Sequence, residues 1–216
     1  MSKSNFTHIA FLFINSLSLA IAGCDILKSD QSFPDDPHVD RSFVTGQRCE
    51  APCWYELRLG KSTVDDIRAT LTQLQFIDQS TLFEWPIDTE GSQLGFYFDC
   101  AYYSPPGSCG ELVAKNGILV QVFMTVQYPL TLESVIEKLS VPNFFTVDTS
   151  STESNCILSI YWPEKNIVII VEEDSRKKHC SANKNEPIDL NLQVISLIYM
   201  NIDAQQQNYE SLPWPK

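Results

Sequence analysis

Histidine and positive charge are both scarce in this 216-residue chain. Its three histidines are His8, His38 and His179, so a Ser-His-Asp device would have to rest on His38 or His179. Zinc finds no Cys-x-x-Cys knuckle. Lys and Arg number 15 against 27 Asp and Glu, a net charge of −12 with a pI near 4.6. That balance argues against nucleic acid as a partner and against a polybasic grip on anionic lipid. Gly-x-Ser-x-Gly, phosphate-loop and dinucleotide patterns are absent as well, so no catalytic residue, metal ligand or cofactor is assigned. Long apolar runs are lacking too. The N-terminal stretch Ile9–Ala22 has 14 residues, broken by Asn15, Ser16 and Ser18. As a helix it would span about 21 Å, short of a hydrocarbon core of about 30 Å. The 44% apolar content nevertheless excludes a disordered acidic tail.

What is present begins with an address. A polar start carrying Lys3, the short apolar stretch and then Ile21-Ala22-Gly23-Cys24 fit a signal peptide. The last four residues resemble the bacterial lipobox: an aliphatic residue, two small residues and Cys. The resemblance implies diacylglycerol transfer to the Cys24 thiol, cleavage between Gly23 and Cys24, and acylation of the new amino terminus. It places the protein on the extracytoplasmic face of the cell membrane, with the membrane as its partner through a lipid anchor at Cys24. Two or three acyl chains hold a soluble domain firmly where one would not. Asp25 resembles the signal that retains lipoproteins of two-membrane bacteria on the outer face of the inner membrane. Removing residues 1–23, with one Lys and no acid, leaves 193 residues and a charge of −13.

Residues 24–48 are then expected to be the lipidated Cys and a flexible acidic tether with Asp30, Asp35, Asp36, Asp40 and two prolines. No Asp-x-Asp-x-Asp-Gly pattern makes that cluster a calcium loop. Beyond it, Thr63 with Asp66 predicts a capping box, followed by Val64, Ile67, Leu71 and Leu74 on one helical face. Thr131 predicts a second cap, ahead of Leu132, Val135, Ile136 and Leu139, with Pro142 ending the helix.

The two helices align at an offset of 68 residues, and the strands after them echo: Leu94–Phe98 with Leu158–Trp162, and Val120–Phe123 with Leu192–Ile195. The pattern predicts an internal duplication, repeats at 49–128 and 129–204 with a polar tail at 205–216. Strands are expected near Leu82–Trp85, Gln93–Cys100, Glu111–Lys115, Ile118–Gln127, Phe144–Asp148, Cys156–Trp162, Ile167–Glu172 and Leu190–Asn201. Lys115-Asn116-Gly117 and Pro163–Asn166 supply turns. The expected fold class is α+β: two similar helix-plus-antiparallel-strand units forming antiparallel sheet packed by helices.

Gly60-Lys61-Ser62-Thr63 opening a helix ahead of antiparallel strands resembles the small lipoprotein of the β-barrel assembly machinery. The tandem arrangement resembles the β-lactamase inhibitor protein. Pro52-Cys53-Trp54 before such a helix is similar to uncharacterised bacterial lipoproteins. The first two are non-enzymatic protein binders, which implies the same of this chain.

Six cysteines remain after Cys24, an even number in an oxidising compartment, and six allow 15 pairings. Proximity predicts disulfides Cys49–Cys53, Cys100–Cys109 and Cys156–Cys180. Cys49-x-x-x-Cys53 is one residue too long for a thiol-oxidoreductase motif and lies about ten residues before the helix. Asp65 and Asp66 suit a first helical turn. Glu172 and Glu173 end a strand and point to opposite faces, so they do not share a substrate. Trp54, Phe96, Phe98, Phe123 and Trp162 are expected in the core. Tyr102 and Tyr103, in the loop closed by Cys100 and Cys109, are the expected partner contact. The functional expectation is a membrane-anchored, non-enzymatic module binding a protein or envelope ligand. The alternative is an extracytoplasmic hydrolase with an unrecognised acidic site.

Overall fold

Alternating apolar residues from Phe83 to Met200 build one open antiparallel sheet, seen in a computed structural model. The structure describes residues 38–46, 49, 52–101, 108–148, 155–174, 188–202 and 211–215. The chain divides at Asp36/Pro37 into two units, and all the described residues lie in the second.

The described chain begins with the short helix α1 (Ser42–Thr45) and the hairpin β1 (Cys53–Trp54) and β2 (Leu57–Arg58). Helix α2 (Val64–Leu71) then leads into strands β3 (Phe83–Pro86), β4 (Gln93–Asp99), β5 (Ser108–Lys115) and β6 (Ile118–Thr125). Helix α3 (Leu132–Leu139) leads into β7 (Phe144–Asp148), β8 (Asn155–Trp162), β9 (Ile167–Asp174) and β10 (Val194–Met200), and β11 (Leu212–Pro213) closes the series. The nine-stranded order is β11-β7-β8-β9-β10-β6-β5-β4-β3, every pairing antiparallel. Two four-strand meanders thus meet back to back at β6–β10.

Both helices start where the sequence places them. Thr63 Oγ1 accepts from Asp66 N while the Asp66 carboxylate accepts from Thr63 N at 2.8 Å, a complete capping box. Those bonds to Thr63 hold the Asp66 carboxyl below its ordinary range. Thr131 Oγ1 accepts from Ser134 N at α3. The two caps sit alike on the sheet: Thr63 bridges Ile118 and Thr131 bridges Gln193. Ile67 and Leu71 of α2, with Leu132, Val135 and Leu139 of α3, bury against the inner sheet face. That face supplies Phe96, Phe98, Leu112, Leu158, Ile160 and Ile169 to one continuous core.

The expected α+β class is overturned. Among the described residues no α-helix exceeds eight residues, while nine strands form a single sheet. The fold is mostly antiparallel β. A cap and a 3.6-residue apolar period mark where a helix starts but not how far it runs. α2 stops at Leu71, and Leu74, expected on the same helical face, is buried in the turn that follows.

Two segments outside the expected repeats are packed. The expected tether ran to Arg48, yet His38–Gly46 is docked: Phe43 is buried, and Asp40 Oδ2 accepts from Trp54 Nε1 at 2.8 Å. Lys138 of α3 donates to the Val44 carbonyl at 3.0 Å and stands 5.4 Å from the Phe43 ring centroid. In the polar tail, expected to dock only loosely, Leu212 is buried opposite Phe145, and the Trp214 ring meets Phe145 edge-on at 6.2 Å.

Candidate binding surface

Strand alternation gives the sheet a second face, turned away from α2 and α3. Residues of β3 to β10 that do not enter the core belong to it, and their register can be followed from strand to strand. Phe83 pairs with Tyr97, Tyr97 with Glu111, and Glu111 with Phe123. Phe123 pairs with Ile198, Ile198 with Val168, Val168 with Tyr161, and Tyr161 with Phe144. One unbroken row therefore crosses eight strands, seven of its residues apolar or aromatic and one a carboxylate. With strands about 4.8 Å apart, it is about 34 Å long.

The row ends in aromatic pairs on both sides. The Phe83 and Tyr97 rings lie 5.1 Å apart, and Phe144 stacks on Tyr161 at 4.6 Å. Phe83 is 52% exposed, Tyr97, Phe123, Ile198, Tyr161 and Phe144 are half-buried, and Val168 in the middle of the row is buried at 2%. Beside the first pair, Trp85 lies across Gly95. A Cβ on that glycine would come within 2.4 Å of the indole, so only glycine allows the ring to settle there. The neighbouring row on the other side is more polar, with Thr125, Ser196, Ile170, Ser159 and Thr146 in register.

Phe123, expected in the core, thus belongs to the outer face. Trp54, Phe96, Phe98 and Trp162 are buried as expected. The difference is one of parity: Val122 and Met124 take the inward positions on β6, leaving Phe123 outside.

The acidic candidates do not converge. Asp65 pairs with Arg68 at 3.0 Å, and Asp66 is engaged in its cap. Arg68 also reaches Glu84 at 2.7 and 2.8 Å, and that hydrogen bond holds the Glu84 carboxyl below its ordinary value. Glu172 is exposed and Glu173 only 2% exposed, on opposite faces as alternation requires. A shallow cleft of about 390 Å³ beside α2 is lined by Glu56, Ser62, Asp66, Thr70 and Gln73, without a nucleophile–base pair. Among the described residues no group of three or more His, Cys, Asp or Glu is placed to hold a metal.

Two expected disulfides are present, Cys49–Cys53 and Cys100–Cys109. Cys156 is also disulfide-bonded, while its expected partner Cys180 lies outside the described residues. The Cys49 sulfur accepts from Glu56 N at 3.2 Å, within a two-residue turn that carries Tyr55 at φ 47° and Glu56 at φ 70°. Gly23, Cys24, Tyr102 and Tyr103 fall outside the described residues. Among those described, no helix is long and apolar enough to cross a membrane.

No family model matches this chain, and searches of curated proteins and of solved structures find no match.

Proposed function

We propose that the chain is a membrane-anchored extracytoplasmic lipoprotein whose folded part is a non-enzymatic binding module, engaging a polypeptide partner through its outer sheet face. The eight-strand row carries this reading. Antiparallel sheets with one wet face alternate apolar and polar residues. Here seven of the eight outward positions along the row are apolar or aromatic as well, with aromatic pairs at both ends. Apolar and aromatic side chains partly exposed on both margins of a sheet face mark interaction sites, and aromatic residues are enriched at the centres of such sites.

Ile21-Ala22-Gly23-Cys24 supports the anchor, and so does the charge. An acidic domain has no electrostatic hold on anionic lipid, so acyl chains at Cys24 do the holding. Mass spectrometry of the mature protein tests this. The expected terminus is an acylated Cys24, and Cys24→Ala leaves the protein unprocessed and without acyl chains. An unmodified terminus elsewhere contradicts it.

Binding is tested by comparing capture on the anchored protein with capture on two variants. Phe123→Ser on the outer face is expected to lose a stoichiometric partner. Glu133→Ala, exposed on α3, is expected to keep it.

A further inference from the structure

Glu111 is the one charged residue in the row, and its position is specific. It stands directly opposite Tyr97 on β4 and Phe123 on β6, with Phe83 next beyond Tyr97. Side chains so paired have Cβ atoms about 5 Å apart, within contact of each other. Leu112 beside it in sequence is fully buried, which fixes Glu111 to the outer face, where it is half-buried. Among the described residues no cation lies within ion-pair distance of it: the two surface ion pairs there belong to Arg68. Tyr97 also donates its hydroxyl proton to Asp99 Oδ1 at 2.9 Å, which brings a second acid to the same edge of the face.

An isolated carboxylate among aromatic rings has little use in an apolar patch, because a partner covering it would bury an unpaired charge and lose its hydration without compensation. The cost disappears if the partner brings the opposite charge. We propose that Glu111, Tyr97 and Phe123 form a receptor for a single cationic side chain, Arg or Lys, projecting from an otherwise apolar surface of a polypeptide partner. The carboxylate supplies the ion pair, and the rings beside it supply cation–π contact. The row's apolar residues accept the partner's surroundings. The net charge of −12 draws such a partner in and disfavours a second copy of this chain on the same face. This inference rests on the outer face being the binding surface.

The test uses the full lipidated chain in detergent and two peptides, Ac-Leu-Leu-Arg-Leu-Leu-NH2 and its isostere with citrulline, which keeps the shape and removes the charge. Calorimetry reads the binding, with the summed fluorescence of the four tryptophans, Trp85 the one on the outer face, as a second signal. The arginine peptide is expected to bind at least tenfold more tightly than the citrulline peptide. Glu111→Gln is expected to abolish that preference with an unchanged melting curve, and Glu133→Gln, which removes the same charge from α3, to preserve it. Equal loss of preference in both variants, or none in Glu111→Gln, overturns the proposal. If both peptides bind equally and Phe123→Ser abolishes both, the cation receptor fails while the outer face stands as the binding surface. If Phe123→Ser leaves binding unchanged, both fail.

Discussion

Phe83 and Phe144 are the two ends of a single register row that crosses eight strands. Each stacks or tilts against a tyrosine on the adjacent strand, Tyr97 and Tyr161, at 5.1 and 4.6 Å. The two meanders, joined at β6–β10, thus present like aromatic pairs at opposite margins of one face.

Gly95 leaves room for Trp85 on that face. Gly95→Ala is expected to push the indole off the sheet and destabilise the fold by about 1–3 kcal/mol, as overpacking does. Urea denaturation gives the energy, and a shift of tryptophan fluorescence toward the exposed value reports the displaced ring. An unaltered spectrum and midpoint would contradict the packing.

Asp40 ties the segment ahead of the sheet to Trp54, which is 1% exposed. Asp40→Ala strands the indole N–H and is expected to cost about 1–3 kcal/mol. Asp40→Asn, which keeps an acceptor, is expected to recover most of it. Limited proteolysis should also cut residues 38–46 sooner in Asp40→Ala than in the parent chain.

Burial pushes the phenols of Tyr128 and Tyr199 above their ordinary value of 10.0. A raised folded-state pKa means the folded chain holds the proton where the unfolded chain has lost it. Their contribution is fully present below pH 10 and declines as pH rises above it. The protein is therefore expected to lose stability steeply in alkali, and Tyr128→Phe to lose less of it between pH 10 and 12. Denaturant titrations at stepped pH measure the slope.

The disulfide Cys100–Cys109 closes a short loop between β4 and β5. In the chain-entropy model a loop of this length is worth about 3 kcal/mol, and Cys49–Cys53 about 2 kcal/mol. Replacing Cys100 and Cys109 together by Ser is expected to lower stability by about that larger amount. Peptide mapping without reduction checks the pairings directly, and Cys156 should appear joined to Cys180.

Much of the sheet was legible from short-range pattern. Phe96 and Phe98 alternate into the core, Asn116-Gly117 makes the β5–β6 turn with both residues at positive φ, and Thr63 and Thr131 cap as expected. Fold class was not legible, because it depends on helix length rather than helix starts. The β1–β2 hairpin was hidden, since Tyr55 and Glu56 carry no turn signature. The docking of Asp40 and Leu212 was hidden as well, because each depends on a partner distant in sequence, Trp54 and Phe145. The proposed binding face was hidden for a related reason. Its residues look like core residues in sequence, and only the parity of Val122, Phe123 and Met124 in the folded sheet turns one of them outward.

Site-specific photo-crosslinking in the protein as it is expressed tests the central claim most directly. A benzophenone side chain placed at Phe123 or Ile198 is expected to crosslink one polypeptide in near-stoichiometric yield, and the same group at Glu133 on α3 is not. Crosslinking from Glu133 in equal yield, or none from either outer-face position, would contradict a binding module that works through its outer face.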